Sequence, residues 1–383
     1  MKKISARWRN LYTKAGFSSF MASLLAILCG LVVGFVVLLV ADPANAFWGL
    51  LAILTGGLSD MKNLGQVLYA ATPIILTGLS VGFANKTGLF NIGAAGQYVI
   101  GAGASLYCAL GFGLPWYVCL LAAIAAGAVL GAISGLLKAY RNVNEVISCI
   151  MLNWISLYLV NALLSQVKET ASPYTFTLSS TNPDAILPSL GLGALFSDNQ
   201  YVTIAIPLTV IVAVGIWVLL EKTKLGYELR ATGCNKFAAK YCGMKEKRNI
   251  ILTMVIAGAL AGFGAGLYYL SNVSQWNPLN STSLPTMGFN GISVALLASS
   301  NPIGTIFSAI FISHISVGGS FLSTKYYPTE ISDLISGIII YLCAFSMLFR
   351  GKIHALLFKN ADKTNVNAEP AAPAKSATEK EGK

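Results

Sequence analysis

Charge is scarce in this chain. Only 11% of its 383 residues are Asp, Glu, Lys or Arg, against about 25% in soluble globular domains, and 55% are hydrophobic. An ordinary water-soluble domain is excluded, and the chain belongs in a bilayer. Histidine is scarcer still: His314 and His354 are the only two, far apart in sequence. Neither a metal cluster nor a Ser/His/Asp arrangement can be built on them, so no catalytic residue and no metal ligand is assigned. The seven cysteines fall mostly inside apolar segments and nowhere as C-x-x-C. They read as small packing residues, with neither a disulfide framework nor a metal site implied. The net charge of +11 does not make a nucleic-acid binder, because the basic residues lie between apolar runs and not on a face with interleaved stacking aromatics.

What the chain has is apolar runs. The first, 20–41, follows Lys2, Lys3, Arg7, Arg9 and Lys14 and has 22 residues. That is long enough to cross a core about 30 Å thick and longer than the apolar core of a signal peptide, so a retained anchor is expected despite the faintly cleavage-like Ala44-Asn45-Ala46. Further candidate spans are 64–84, 92–111, 116–137, 146–165, 201–220, 250–270, 284–298, 303–317 and 331–349. The expected fold class is an all-α polytopic membrane protein with about ten transmembrane helices. Its domains are a basic N-terminus at 1–19, a permeation domain at 20–349 and a tail at 350–383. From residue 360 the tail is Ala, Pro, Lys and Glu with almost nothing apolar to bury, which predicts disorder.

Lys and Arg set the orientation. With the N-terminus inside, the inner segments carry five at the N-terminus, Lys86, Lys138 with Arg141, eight in 221–249 and seven from Arg350 onward. Only Lys62, Lys168 and Lys325 fall outside. A split of 23 to 3 predicts an N-in, C-in topology. The segments 284–298 and 303–317 have 15 residues each, short for a crossing at about 1.5 Å per residue. They are either two tilted spans or one re-entrant hairpin. The long outer loop 166–200 is rich in Ser, Thr, Pro and Asn, with Tyr174 and Phe176 as contact points. It serves either as a flexible connector or as a docking surface for an external partner.

The stretch 221–249 is the one long, strongly basic polar segment between the first and last apolar runs. Within it, Asn235-Lys236-Phe237-Ala238-Ala239-Lys240-Tyr241-Cys242-Gly243 reads as a short helix, with Asn235 as N-cap and Gly243 ending it. Phe237 and Tyr241 are four apart and share a face, with Lys236 and Lys240 on the neighbouring one. That design suits docking into a groove on a partner, although a basic inner loop is also the general rule.

A second polar break, from Asn85 to Gln97, has amides, hydroxyls and three glycines between two spans. Small residues continue through Gly101 and Gly103, as at close helix contacts. Phe90, Asn91 and Gln97 here, Asn153 and Trp154 in the fifth span, and Asn290 and Ser293 in the eighth are uncharged hydrogen-bonding groups or aromatics inside apolar surroundings. They line either a polar solute path or helix contacts. No acidic or basic side chain lies clearly inside a span, whereas a proton- or sodium-coupled transporter usually keeps an ionisable residue or an unwound carbonyl site there. The stretch Gly78-Leu79-Ser80-Val81-Gly82 is echoed by Gly291-Ile292-Ser293-Val294-Ala295, a faint internal repeat.

Three stretches then carry a family resemblance: Lys86-Thr87-Gly88-Leu89-Phe90-Asn91-Ile92-Gly93 through Gly96-Gln97; Asn144-Glu145-Val146-Ile147 through Ile150-Met151-Leu152-Asn153; and Gly288-Phe289-Asn290-Gly291-Ile292-Ser293-Val294-Ala295-Leu296-Leu297 through Asn301-Pro302-Ile303-Gly304. The chain from about residue 64 to 349 resembles the permeases of ATP-binding-cassette importers of the ribose and branched-chain amino acid type, in particular the nucleoside or simple-sugar subgroup. The segment from Leu225-Gly226 to Gly243-Met244 is similar to that family's coupling helix. The resemblance implies a non-enzymatic transport subunit in a bacterial inner membrane, paired with a second permease that is often a paralogue. It further implies a separate cytoplasmic ATPase and a substrate-binding lipoprotein outside. No nucleotide-binding P-loop occurs in the chain, in keeping with ATP being used by a partner and with no cofactor of its own. Many members have Glu where this chain has Ala95. The expected solute is a nucleoside, with a simple sugar or riboflavin as the alternative and a secondary transporter or channel as the alternative of another class.

Overall fold

The computed structural model describes residues 15–197 and 199–322, with positions 327, 334, 335, 337, 338, 341 and 342. The basic residues of the N-terminus, most of the span 331–349 and the tail 350–383 lie outside the described residues. Among the described residues the chain is helical, and the only strand-like pairing is one antiparallel bridge between Lys168 and Thr175. In chain order the helices are α1 (Ala15–Ala41), α2 (Ala46–Thr55), α3 (Met61–Lys86), α4 (Ala94–Leu110), α5 (Trp116–Arg141), α6 (Glu145–Leu164), α7 (Ala205–Lys222), α8 (Lys224–Cys234), α9 (Lys236–Tyr241), α10 (Glu246–Tyr269), α11 (Thr286–Leu297) and α12 (Pro302–Gly319). The protein is an all-α polytopic membrane protein: α3, α5, α6, α7, α10 and α12 are each long and apolar enough to cross a bilayer. Helix α2 escaped the sequence reading because its ten residues are too few to span.

Burial sorts these helices. Of the most apolar stretch of α3, 89% is buried, against 28% in α7, so α3 is the axis around which the others pack. Its closest neighbour in the core, α10, crosses α5 on glycines spaced every fourth residue: Gly127, Gly131 and Gly135 on one helix, Gly258, Gly262 and Gly266 on the other. A methyl group on Gly131 would strike the Met254 carbonyl, and one on Gly258 the Gly127 carbonyl. The backbones touch directly, the contact that small residues permit between helices in lipid, where apolar burial alone gives no drive to associate.

The two echoed segments lie side by side and point the same way. Gly78 packs on Val294, Gly291 on Thr77, and Gly82 approaches Ala295. The internal repeat is therefore a contact in the centre of the molecule.

The bundle has two ends. At one, the loop 166–200 folds over the helices, burying Leu178, Ala185 and Leu187, while Asn182 Nδ2 donates to the carbonyls of Ala109 and Leu114 at 2.9 Å each. At the other, α8 and α9 project. Helix α12 runs the full width, from Thr305 beside Gly78 to Gly318 against Ile53 of α2, where His314 Nε2 lies 2.9 Å from the Leu54 carbonyl. Helix α11 covers only half of it. The chain leaves α10 near Tyr268, whose carbonyl accepts from Tyr69 Oη (3.2 Å), and α11 begins near Met287, whose carbonyl accepts from Thr77 Oγ1 (3.0 Å). Tyr69 and Thr77 are separated by about 12 Å along α3. The non-helical segment 271–285 makes that descent as a strap. The two short segments are thus unequal: a non-helical strap and the short helix α11 run one way along α3, and the longer α12 returns.

Candidate functional site

The amides of the second polar break close on one another. Asn91 is buried because the chain after α3 turns back into the protein before α4 begins. Its Nδ2 donates to Ser80 Oγ (2.9 Å) and to Gln97 Oε1 (2.8 Å), and Gln97 Nε2 donates to Asn91 Oδ1 (3.3 Å). Asn153 Oδ1 accepts from the Gly96 amide (2.8 Å), and its Nδ2 donates to the Ile92 carbonyl (3.1 Å). Unbonded amides here would each cost several kcal/mol, about 4–8 on a hydrocarbon scale. Paired as they are, they lock the turn between α3 and α4 onto α6. Phe90, in this turn, is half-buried. Trp154 follows Asn153 in sequence but faces away, 41% exposed and stacked on Tyr158 at 6.3 Å. Consecutive helical residues point about 100° apart, and that separates this aromatic from the amides.

Asn290 and Ser293 behave differently. Both are half-buried on α11, on one helical face with exposed Thr286 and with Phe289, which is 40% exposed. The opposite face, Gly288, Gly291 and Val294, is packed on α3 and α4. The polar face continues into the strap through exposed Asn280, Thr282 and Ser283. The resulting ribbon carries no ionisable side chain. The strap is held by Asn161 of α6, which donates Nδ2 to the Ser281 carbonyl (2.8 Å) and accepts from Trp276 Nε1 (2.9 Å). The sequence offers 271–283 only as an outer connecting loop, so its residues were not among the site candidates. The available sign was the shortness of the apolar run after it.

Ala95 is explained by packing. It is buried, and a methyl on Gly288 would lie 2.5 Å from its Cα.

The short helix appears where its pattern placed it. Asn235 Oδ1 accepts from the amides of Phe237 (3.0 Å) and Ala238 (3.1 Å), and Gly243 ends the turn at φ +80°. Ala239 is buried against the body, while Phe237 is 64% and Tyr241 93% exposed. Lys236 Nζ sits 5.1 Å from the Phe237 ring, and Lys240 is exposed beside it. The base of the projection is fixed: Arg248 pairs with Glu228 (3.1 Å), and Asn249 Nδ2 donates to Thr232 Oγ1 (2.9 Å), joining α8 to α10. Among the described residues, two largely exposed rings are thus held out on a braced mount.

Comparison with known proteins bears on both features. The family model for the permease component of branched-chain amino acid transport systems matches residues 63–344. The guanosine ABC transporter permease protein NupP of Bacillus subtilis is 33% identical over 350 residues, 90% of this chain and 99% of the relative. The nucleoside ABC transporter permease protein NupB of Lactococcus lactis is 33% identical over 360 residues, 91% of this chain and 97% of the relative. A glucose ABC transporter permease protein, TsgB13 of Haloferax volcanii, is 30% identical over 341 residues, 85% of this chain and 87% of the relative. No solved structure matches the chain.

Proposed function

Since this chain belongs to the family of branched-chain amino acid transport system permease components, we propose that it is the membrane subunit of an ABC importer for nucleosides, powered by a separate ATPase. Two full-length relatives named for guanosine and nucleoside transport support the solute. The observation that carries the mechanism is the uncharged polar ribbon of strap and α11. Hydroxyls and amides at membrane depth do not face lipid, so in the assembled importer this ribbon faces a second permease across a water-filled path. Ribose hydroxyls and base edges match Asn290 and Ser293, and Phe289 offers a ring to the base. The contacts must be weak, because a tight site would trap the solute. Asn91, Gln97 and Asn153 brace the turn that supports this surface. The relative named for glucose favours a second reading, a sugar, for which the same ribbon would serve.

In this reading the chain has about ten spans with both termini inside, α9 meets the cytoplasmic ATPase, and the loop 166–200 meets a substrate-binding lipoprotein. A single cysteine at Lys245 in a cysteine-free background should resist an impermeant thiol reagent on intact cells, while one at Ser179 should react. The reverse pattern would invert the topology. Asn290→Leu and Ser293→Leu should each lower ATP-driven uptake tenfold or more, with unchanged assembly and unchanged solute binding by the isolated lipoprotein. Normal uptake by both would remove the ribbon from the path.

A further inference from the structure

The two exposed features, α9 and the ribbon on α11, stand at different places in the molecule, and a short series of contacts joins them. Gly233 lies two residues before Asn235, the cap of α9. A methyl on Gly88 would fall 2.5 Å from the Gly233 Cα, and one on Gly233 would strike the Thr87 carbonyl, so the two backbones are in direct contact. Gly88 has φ +78°, a conformation that a side chain would strain. Thr87 is buried and its hydroxyl donates to the carbonyls of Phe83 (3.0 Å) and Ala84 (2.9 Å), which fixes this turn to the last turn of α3. From that same turn, Asn85 Nδ2 donates to Ser300 Oγ (2.8 Å). Ser300 is buried, its amide bonded to the Ala295 carbonyl of α11 (2.7 Å).

The turn that receives this bond is under strain. Ser299 (φ +50°) and Ser300 (φ +56°) are consecutive non-glycine residues in the left-handed region, which L-residues with a side chain visit at a cost. Such a conformation persists only while its surroundings impose it: the amides of Ser299 and Ser300 close the end of α11 on the carbonyls of Leu296 (2.9 Å) and Ala295 (2.7 Å), and Asn85 reaches the turn from α3. Helix α12 is secured separately, since Asn301 Oδ1 accepts from the amides of Ile303 (3.0 Å) and Gly304 (3.2 Å). The turn can therefore change conformation without unwinding α12.

We propose that the Gly233–Gly88 contact and the Asn85–Ser300 hydrogen bond form the transmission joint between α9 and the polar face of α11. The inference rests on the permease reading above. A displacement of α9 reaches Gly233 directly, is passed by backbone contact to Thr87 and Gly88, and releases or tightens the Ser299–Ser300 turn through Asn85. Relaxation of that turn shifts α11 and with it Asn290 and Ser293. Asn85 and Ser300 are positioning residues in this scheme and touch neither nucleotide nor solute.

The test uses the purified permease–ATPase complex in proteoliposomes with its binding protein. Asn85→Leu and Ser300→Ala should leave assembly and basal ATP hydrolysis at wild-type levels while solute moved per ATP falls at least tenfold. Asn85→Gln, which keeps the donor, should restore part of it. A second arm uses Asn85→Cys with Ser300→Cys in a cysteine-free background. Oxidation with copper phenanthroline should block transport but not basal hydrolysis, and reductant should restore transport, which also shows that the variant is folded. Unchanged transport per ATP in both single variants, or full transport by the crosslinked protein, would overturn the joint alone. An unsubstituted complex that moves no solute would overturn the permease reading and the joint with it.

Discussion

Gly131→Leu should leave almost no folded protein in the membrane. The position faces the Met254 carbonyl at the α5–α10 crossing, where the helices meet backbone to backbone. No rotamer of an added side chain avoids the contact, because even its first carbon has no room. Overpacking a core side chain typically costs 1–3 kcal/mol, and here the obstacle is backbone, so about 3 kcal/mol or more is expected. That is a large part of the 5–15 kcal/mol that stabilises a typical domain. Gly215 on α7 provides the control, since nothing lies within 4 Å of the Cβ it lacks, and Gly215→Leu should behave as wild type. Size-exclusion profiles of detergent-extracted protein report the difference. A monodisperse Gly131→Leu protein at wild-type yield would show that the helices are not in this contact.

The double variant Phe237→Ala, Tyr241→Ala should insert and fold normally yet fail to hold its ATPase. Neither ring supports the fold, as both are largely exposed and only Ala239 of this helix is buried. Aromatic anchors buried at an interface commonly contribute 2 kcal/mol or more each. Losing two would weaken the complex by roughly a thousandfold at 1.4 kcal/mol per decade. Co-purification of the ATPase with the tagged permease measures this. Asn235→Ala should weaken it less, because the cap sets the helix but makes no apolar contact. Its loss costs about 1 kcal/mol. Wild-type co-purification by the double variant would remove α9 from the interface.

Run length and capping chemistry were legible before any coordinates. The runs 64–84, 116–137, 146–165, 201–220 and 250–270 each lie on a helix that overlaps them closely, because twenty apolar residues have few other options. Asn235 and Gly243 marked α9 for a local reason: the side chain bonds and the positive φ involve residues two or three positions apart. Facing was not legible. A transmembrane helix is apolar on all sides, so no periodicity shows that Gly131 meets Met254 or that Trp154 turns from the side where Asn153 bonds. The amides were found as a group, but composition could not separate Asn91 and Gln97, which bond each other, and Asn153, which bonds the backbone of Ile92 and Gly96, from Asn290 and Ser293, which are half-buried on α11. The strap was hidden for a related reason. Polar sequence between two apolar runs does not show its course, and only the contacts of Tyr268 and Met287 with α3 show that this segment runs along that helix.

The measurement that tests the central claim most directly is uptake of radiolabelled guanosine into proteoliposomes. They would contain this permease with a second permease and an ATPase, supplied with the loaded binding protein and with ATP inside or absent. Accumulation that requires ATP, is competed by other nucleosides and not by pentoses or riboflavin, and is lost with the Phe237→Ala, Tyr241→Ala variant is the expected result. Accumulation without ATP, or ATP-driven accumulation competed by a sugar and not by nucleosides, would contradict it.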